Sequence, residues 1–325
     1  MSHKNKKEVY YSKVMLFGEY SIILGSMGLT IPYAHFNGEL RFINKNSYTD
    51  LDFAKNSNEQ IRLLNDYIID LKSNGELLIK FNTEKLSKDL SRGLYFESSI
   101  PEGYGLGSSG ALVASLYAEY AEKKIIARAG MPVDEMLTLK QNFAQIESFY
   151  HGTSSGIDPL ICYLKHPIVL ENAQQISSIG IPRNEIMEND AIFLINSGKP
   201  GKTEPLVKLF MNKINEADYL NSIKNTMIPL TNTCITSMLE GKLNHMFDKL
   251  KQLSKFQLEH FDEMIPQSIK GIWESGLDSD NFTLKLCGSG GGGFVLGFTR
   301  QYDKTKAYFK NLGIEMIPVY REVIS

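Results

Sequence analysis

Apolar residues in the first hundred positions fall in the short alternating runs that are typical of β-strands. We predict strands over residues 9–17 and 29–43, with the second one broken by a turn at Asn37-Gly38. A helix is predicted over 58–72, because its apolar residues recur every three or four positions. The pattern therefore indicates a sheet near the start of the chain, followed by a helix.

Helical patterns dominate the middle of the chain. A strand predicted over 94–97 is followed by a glycine-rich loop over 101–110, which leads into a helix. The next helix is predicted to begin near Pro132 and to end at Gly152, since these residues are favoured at those two ends of a helix. Helical periodicity returns between residue 205 and about residue 261.

Strands return in the last part of the chain. They are predicted over residues 191–196, 282–287, 294–298 and 314–320. The composition changes near residues 185–190, so we predict a domain boundary near residue 187, with domains 1–187 and 188–325. Strands and helices cluster rather than alternate strictly, and the predicted fold class is therefore α+β.

Composition and charge exclude several classes of protein. The 325 residues carry 35 Lys and Arg against 37 Asp and Glu, a net charge of −2, which offers no electrostatic basis for nucleic-acid binding. The 42% hydrophobic content excludes a disordered chain. The three cysteines are far apart, and so predict neither disulfides nor a zinc site. With no bilayer-length apolar run and no secretory signal, we expect a cytoplasmic protein without membrane partners.

The loop over 101–111 is the first candidate for chemistry. Its glycines let backbone N–H groups approach a ligand, and the helix that follows favours an anion at its N-terminus. Ser108 and Ser109 add hydroxyls that can bind a phosphate or a metal ion. The glycine spacing also fits a dinucleotide-binding loop, but no acidic residue closes a second strand about 20 residues later. The loop therefore predicts phosphate binding.

Two other segments are rich in glycine. Residues 196–203 nearly match a P-loop, but Asn196 stands in place of the first glycine. The preferred interpretation is a strand-to-helix connection with Thr203 as N-cap. In the run 288–293, five of the six residues are glycine, and the run lies between two predicted strands. A hairpin turn needs only one or two glycines, so this run predicts close approach of its backbone to a ligand or to another loop.

Two carboxylates and a lysine could act beside a phosphate. Glu147 lies near the end of a predicted helix, and Asp158 follows 11 residues later in a predicted loop of small residues. Such a pair can converge on one cation or hydroxyl, as phosphoryl transfer requires. Lys13 interrupts an apolar strand, and Glu19 follows at the end of that strand. Taken singly, each of these residues also fits an ordinary surface or capping role.

Together these segments resemble the GHMP small-molecule kinases, which include galactokinases and the homoserine, mevalonate and phosphomevalonate kinases. The three motifs of that family appear in order along nearly the whole chain. They begin at Lys13, at Gly105 and at Lys285. The first motif and the stretch from Glu147 to Asp158 are most similar to those of the mevalonate kinases.

The resemblance implies a fold and a set of roles. The N-terminal domain would be like domain 2 of ribosomal protein S5, the C-terminal domain would be ferredoxin-like, and ATP and substrate would bind in the cleft between them. The residues that would wrap the ATP phosphates are Gly105, Leu106, Gly107, Ser108, Ser109, Gly110 and Ala111. Ser109 and Glu147 would hold Mg²⁺, Asp158 would act as base or orienter, and Lys13 would stabilise charge. The implied substrate-side residues are Glu19, Tyr20, His151, Thr203, Gly288 and Ser289.

Several positions depart from the family pattern. Tyr20 stands where His is usual, Ser154 where Pro is usual, and Pro159 where Asn is usual. Gly110 replaces the usual Ala, and a pair of glycines expected beyond Asp158 is absent. Most departures lie on the substrate side, while the phosphate and metal positions match. The resemblance therefore predicts the reaction class more firmly than the acceptor.

The expected activity is ATP-dependent phosphorylation of mevalonate to 5-phosphomevalonate in isoprenoid biosynthesis, with Mg²⁺. A first alternative keeps this chemistry and changes the acceptor to phosphomevalonate, homoserine or a sugar. A second is a catalytically inactive nucleotide or metabolite sensor, which ranks lower because Lys13, Ser109, Glu147 and Asp158 are all retained. A mevalonate diphosphate decarboxylase ranks last. The expected partner is a small-molecule alcohol, and the sequence leaves a homodimer as an option.

Overall fold

The computed structural model describes residues 8–44, 50–172, 175–180 and 189–321. The chain divides into two compact units. Unit 1 comprises the described residues of Met1–Lys13, Pro32–Pro101 and Gly107–His166, and unit 2 those of Val14–Ile31, Glu102–Leu106 and Pro167–Ser325. The domain boundary predicted near residue 187 lies outside the described residues and stays a prediction.

The first strands of the chain form antiparallel pairings within each unit. They are β1 (Tyr10–Phe17), β2 (Gly28–Phe42), β3 (Leu94–Ser98), β4 (Ile168–Asn172) and β5 (Gln175–Ser178). In unit 1, the second part of β2 pairs with β3, with Gly38 opposite Ser98. In unit 2, the first part of β2 pairs with β4, with Gly28 opposite Leu170, and β4 pairs with β5.

The turn predicted at Asn37-Gly38 is wrong, because β2 continues through both residues. Gly38 lies in the strand opposite β3, and a Cβ atom there would be 2.3 Å from the ring of Phe96. The glycine therefore makes room for an aromatic side chain of the neighbouring strand. A residue that is typical of turns serves here as a packing residue within a strand.

Helices complete unit 1 around a continuous apolar core. They are α1 (Leu51–Ser73), α2 (Thr83–Ser91), α3 (Ser108–Tyr120), α4 (Val133–His151) and α5 (Ile157–Leu164). Helix α1 begins earlier than the predicted residue 58, because the Asp50 side chain accepts hydrogen bonds from the first-turn N–H groups. The predicted helix between Pro132 and Gly152 is confirmed by α4. Helix α3 packs against both α4 and α5.

Unit 2 contains a second antiparallel sheet with helices beside it. Its strands are β6 (Ala191–Asn196), β7 (Thr283–Leu286), β8 (Phe294–Thr299) and β9 (Met316–Arg321), in the order β7-β8-β6-β9. Its helices are α6 (Thr203–Lys213), α7 (Ala217–Ser222), α8 (Ile228–Leu239), α9 (Leu243–His260), α10 (Gln267–Ser279) and α11 (Tyr302–Asn311). The predicted strands and the long helical region are confirmed, with small shifts at their ends.

Of the residues that the structure describes, 52% are helical and 20% lie in strands, which confirms the α+β class. Strands and helices are grouped along the chain, as the sequence pattern predicts. Within the described part of the chain, none of the helices has the combination of length and apolar character that crossing a membrane requires.

Candidate active site

An ion pair between a buried lysine and a partly exposed aspartate joins β1 to α5 in unit 1. The Lys13 ammonium lies 3.1 Å from the Asp158 carboxylate, and the whole lysine residue is only 5% exposed. A lysine within a strand usually faces solvent, but its burial here is balanced by the opposite charge. The structure thus brings together two residues that the sequence separates widely.

Asp158 lies in the first turn of a helix rather than in the expected loop. Gly156 adopts a left-handed conformation with φ of +73°, and α5 begins directly after it. The expectation of a loop is wrong because this glycine ends the loop two residues before the aspartate. The N-terminus of a helix favours a negative charge, and Asp158 lies there beside the Lys13 ammonium.

Glu147 is a buried carboxylate near the end of α4. It is 4% exposed, and it accepts hydrogen bonds from the hydroxyls of Ser109, at 3.1 Å, and Ser154. Burial, followed by the charge of Asp158, raises the pKa of Glu147 to about 7, against the opposing effects of both hydroxyls and Lys13. The two carboxylates therefore influence one another, as their predicted convergence requires.

The first turn of α3 presents polar groups beside Glu147. The Ser109 hydroxyl lies 3.2 Å from Nε2 of His151, in addition to its bond to the carboxylate. Gly107 precedes the helix with φ of +75°, and it has no side chain that could cap this N-terminus. A helix start with this arrangement can bind an anion through its backbone N–H groups. The Leu106 and Ala111 side chains are buried, so only their backbones could face a ligand.

Gly110 explains one departure from the family pattern. A Cβ atom on Gly110 would lie 2.7 Å from the carbonyl carbon of Asp158 and 2.8 Å from the nitrogen of Pro159. Both neighbours are backbone atoms, so α3 and α5 could not accommodate the usual alanine without moving apart. Glycine at this position therefore allows close packing of the two helices that carry Ser109 and Asp158.

Replacing Gly110 with alanine is expected to lower the free energy of unfolding by about 1–3 kcal/mol, the usual cost of overpacking. We also expect a lower kcat, because the clash displaces Asp158. Gly271→Ala is the matched control, since Gly271 lies in a helix and a Cβ atom there meets nothing within 4 Å. Denaturant unfolding and turnover of both variants test the prediction, and a Gly110→Ala variant as stable as Gly271→Ala would contradict it.

Glycine-rich segments of unit 2 pack backbone against backbone. A Cβ atom on Gly105 would lie 2.8 Å from the carbonyl oxygen of Cys287, and one on Gly293 would lie 2.6 Å from Cα of Tyr104. A Cβ atom on Gly201 would similarly lie 2.6 Å from a carbonyl oxygen of the run 288–293. The predicted close approach of this run to another loop is confirmed. Gly105 and Leu106 belong to unit 2, whereas the residues from Gly107 onward belong to unit 1.

Thr203, Ser289 and Tyr20 come together in unit 2. The Ser289 hydroxyl donates to Oγ1 of Thr203 at 3.1 Å, and the Tyr20 hydroxyl donates to the Ser289 carbonyl at 2.6 Å. The expectation that Thr203 is the N-cap is wrong, since Lys202 precedes the helix and Thr203 is its first residue. The threonine hydroxyl accepts from Ser289 and makes no capping bond to the backbone.

Glu19 is held in a second buried ion pair, and its partner was missed as a functional candidate. Its carboxylate lies 2.6 Å from Nζ of Lys285, and the two side chains are 2% and 0% exposed. A charged residue within the otherwise apolar strand β7 is the sequence signal for Lys285. The predicted substrate contact of Glu19 stays a prediction, and the structure adds a stabilising role.

The oxygen atoms of Ser109 and Glu147 are suitable Mg²⁺ ligands, but two residues alone do not fill the coordination shell of the ion. Among the residues that the structure describes, no three His, Cys, Asp or Glu side chains could together hold a metal ion. Mg²⁺, however, commonly takes one or two carboxylates and completes its shell with water and nucleotide phosphates. A serine hydroxyl beside a buried carboxylate is compatible with that mode of binding.

Comparison with known proteins identifies a family domain and a fold. Residues 76–166 match the family model for the GHMP kinases N terminal domain. A comparison with curated protein sequences finds no significant match. The fold matches L. major mevalonate kinase in complex with R-mevalonate, at 16% identity and a TM-score of 0.64, over 99% of this chain and 98% of that one.

Two further solved structures share the fold with different small molecules bound. Streptococcus pneumoniae phosphomevalonate kinase, in complex with phosphomevalonate and AMPPNP, matches at 16% identity and a TM-score of 0.62, over 98% of this chain and 99% of that one. Lactococcus lactis galactokinase, complexed with galactose, matches at 15% identity and a TM-score of 0.62, over 97% and 94%. The fold therefore does not by itself select an acceptor.

Proposed function

From a chain that carries a GHMP kinase N-terminal domain and has the GHMP kinase fold, we infer an ATP-dependent kinase that phosphorylates a small alcohol, with mevalonate as the preferred acceptor. The observation that carries this proposal is the ion pair between the buried Lys13 and the partly exposed Asp158, in the same unit as Glu147 and Ser109. A protein that only senses a nucleotide has no need of a carboxylate placed as a base.

The proposed chemistry assigns a task to each residue of this cluster. Asp158 accepts or orients the proton of the acceptor hydroxyl, whose oxygen forms the new bond to phosphorus as the bond to the ADP oxygen breaks. Lys13 holds the Asp158 carboxylate in place, and it stabilises negative charge near the reacting oxygen. When bound, ATP would supply the phosphoryl group, and Mg²⁺ would neutralise part of the negative charge of the phosphates.

The remaining candidate residues are proposed to bind the ATP phosphates, Mg²⁺ or the acceptor. The N-terminus of α3, from Gly107 to Ala111, would hold phosphate oxygens, and Ser109 and Glu147 would hold Mg²⁺. Thr203 and Ser289 in unit 2 would contact the acceptor through their hydroxyls. The preference for mevalonate rests on the resemblance of the stretch between Glu147 and Asp158, and His151 within it is proposed to contact the acceptor.

The affinity for Mg·ATP is expected to rise with pH up to about 7. Below that pH the Glu147 carboxylate is largely protonated, because its pKa is raised to about 7 by burial, and it must lose the proton to bind a cation. With a pKa of about 7, the expected rise in affinity is about fivefold between pH 6 and 7 and about twofold between pH 7 and 8. Calorimetric titration at pH 6, 7 and 8 measures it, and Glu147→Gln, which has nothing to ionise, should show a lower affinity with only the pH dependence of the nucleotide. Parallel profiles for the two proteins would contradict the prediction.

The test of the function is ADP release from Mg·ATP with purified protein and a panel of mevalonate, phosphomevalonate, homoserine and galactose. Saturable turnover on mevalonate alone supports the proposal, with Asp158→Asn as the blank. Turnover on another acceptor keeps the reaction and changes the substrate. No turnover on any of them, with ATP still bound, would favour the sensor.

A further inference from the structure

Tyr20 occupies a strained backbone conformation three residues after the end of β1. Its φ of 61° and ψ of −49°, with the Ser21 N–H donating to the Glu19 carbonyl at 2.7 Å, define a γ-turn with positive φ. Few residues other than glycine adopt such a conformation, and it persists only where the surroundings hold it. The contacts of Glu19 and Tyr20 show what holds this turn.

Both side chains of the turn reach the segment that leads into the C-terminal glycine run. Glu19 pairs with Lys285 in β7, and Tyr20 donates from its hydroxyl to the Ser289 carbonyl at 2.6 Å. The Tyr20 ring, in a residue only 5% exposed, packs against Phe210 and Phe261 with centroid distances of 4.9 and 5.3 Å. Burial raises the pKa of Tyr20, so its hydroxyl stays protonated and donates.

Ser289 lies between two glycines of the run 288–293. Gly288 and Gly290 flank it with φ of +71° and +74°, in the region that glycine adopts most readily. Its hydroxyl nevertheless meets that of Thr203, which is exposed, while Ser289 is half-buried. A ligand can therefore reach this hydroxyl pair, and its geometry depends on what fixes the Ser289 backbone.

We propose that Tyr20 is a positioning residue, whose hydroxyl fixes the Ser289 backbone so that the Ser289 and Thr203 hydroxyls bind the acceptor alcohol together. This step rests on the proposed function, which has those two hydroxyls contact the acceptor. Tyr20 stands where the family usually has His, and here its polar end is bonded to the glycine run. Tyr20 thus acts on the acceptor through Ser289.

Hydrogen exchange tests the positioning role without any need for turnover. Tyr20→Phe removes the hydroxyl and keeps the ring, and we expect exchange in peptides covering 286–294 to accelerate about three- to tenfold, as loss of one hydrogen bond implies. Tyr219→Phe is the matched control. Its ring contacts the same Phe210 and Phe261, and its hydroxyl donates to the His260 carbonyl at 3.4 Å, away from the glycine run.

Two exchange results would overturn the positioning role. The first is wild-type exchange of that peptide in Tyr20→Phe. The second is equal acceleration in both variants, which would assign the effect to the aromatic cluster instead. Faster exchange in Tyr20→Phe alone supports the role.

Kinetics tests the consequence for the acceptor. Tyr20→Phe should raise the acceptor KM about three- to tenfold with a smaller change in kcat and an unchanged KM for ATP. Thr203→Val should raise the acceptor KM as well, and the double variant should be less affected than the product of the two single effects. Strictly multiplicative effects would refute the link through Ser289. If the wild type turns over no acceptor but exchange behaves as expected, the proposed function fails and the positioning of the loop stands.

Discussion

Replacing Asp158 with asparagine is expected to lower kcat by about 10²- to 10⁴-fold, the range typical of a lost general base. The amide has nearly the same size but cannot accept a proton from the acceptor hydroxyl. Binding of Mg·ATP should persist, because the proposed phosphate and metal groups lie at Ser109 and Glu147. Stopped turnover with retained nucleotide binding is the signature of a base rather than of a binding residue.

The variant also removes the negative charge beside Lys13, which can lower stability. A buried charge that has lost its partner typically costs about 3–5 kcal/mol, although Asp158 is partly exposed and the cost should be smaller. Thermal unfolding with and without Mg·ATP separates the two effects. The loss of kcat has to be measured at a temperature at which the variant is folded.

Asp190→Asn is the matched control for this experiment. Asp190 is 5% exposed and lies 3.5 Å from Nε of Arg300 in unit 2, so it is another buried carboxylate in an ion pair. The control should lose stability and keep kcat. Equal losses of kcat in the two variants, or wild-type turnover by Asp158→Asn, would reject the role of Asp158 as base or orienter.

The local preferences of individual residues predicted secondary structure correctly where tertiary packing favours the same conformation. Helix α4 is bounded by Pro132 and Gly152, whose backbone preferences act whatever surrounds them. The dipeptide Asn37-Gly38 carries an equally strong turn signal, but pairing of β2 with β3 overrides it. A glycine can serve a turn or a crowded strand, and only the position of Phe96 decides between them.

The site shows the same limit at longer range. Motif similarity placed Lys13 and Asp158 in one reaction, and the structure places them in contact. No signal indicated that Ser154, one of the departures, donates to Glu147, because that bond depends on how the loop folds back onto α4. The Tyr20 and Ser289 residues that share a hydrogen bond are 269 positions apart in the sequence. The bond forms only in the backbone conformation that the glycine-rich loop adopts, and the sequence of that loop is compatible with others.

Replacing Glu19 with glutamine is expected to lower the free energy of unfolding by about 3–5 kcal/mol, the cost of removing one partner of a buried pair. The Lys285 side chain is 0% exposed, so its charge would be left buried with the Leu286 carbonyl and the Phe17 ring beside it but without an opposite charge. Chemical denaturation measures the loss. Glu204→Gln is the control, since its pair with Lys208 is 70% and 72% exposed and should contribute little to stability.

The double variant Glu19→Gln/Lys285→Met separates the cost of an unpaired charge from a need for the pair itself. Replacing both partners of a buried pair by uncharged groups is often neutral, so the double variant should be more stable than Glu19→Gln alone.

The double variant should also be the better test of function, because a folded protein without the pair shows whether Glu19 contacts the acceptor. A normal acceptor KM in the double variant would leave Glu19 with a structural role only. A raised KM would not separate contact with the acceptor from displacement of the neighbouring Tyr20, and hydrogen exchange over residues 286–294 then decides between them. A double variant no more stable than Glu19→Gln would contradict the explanation by charge.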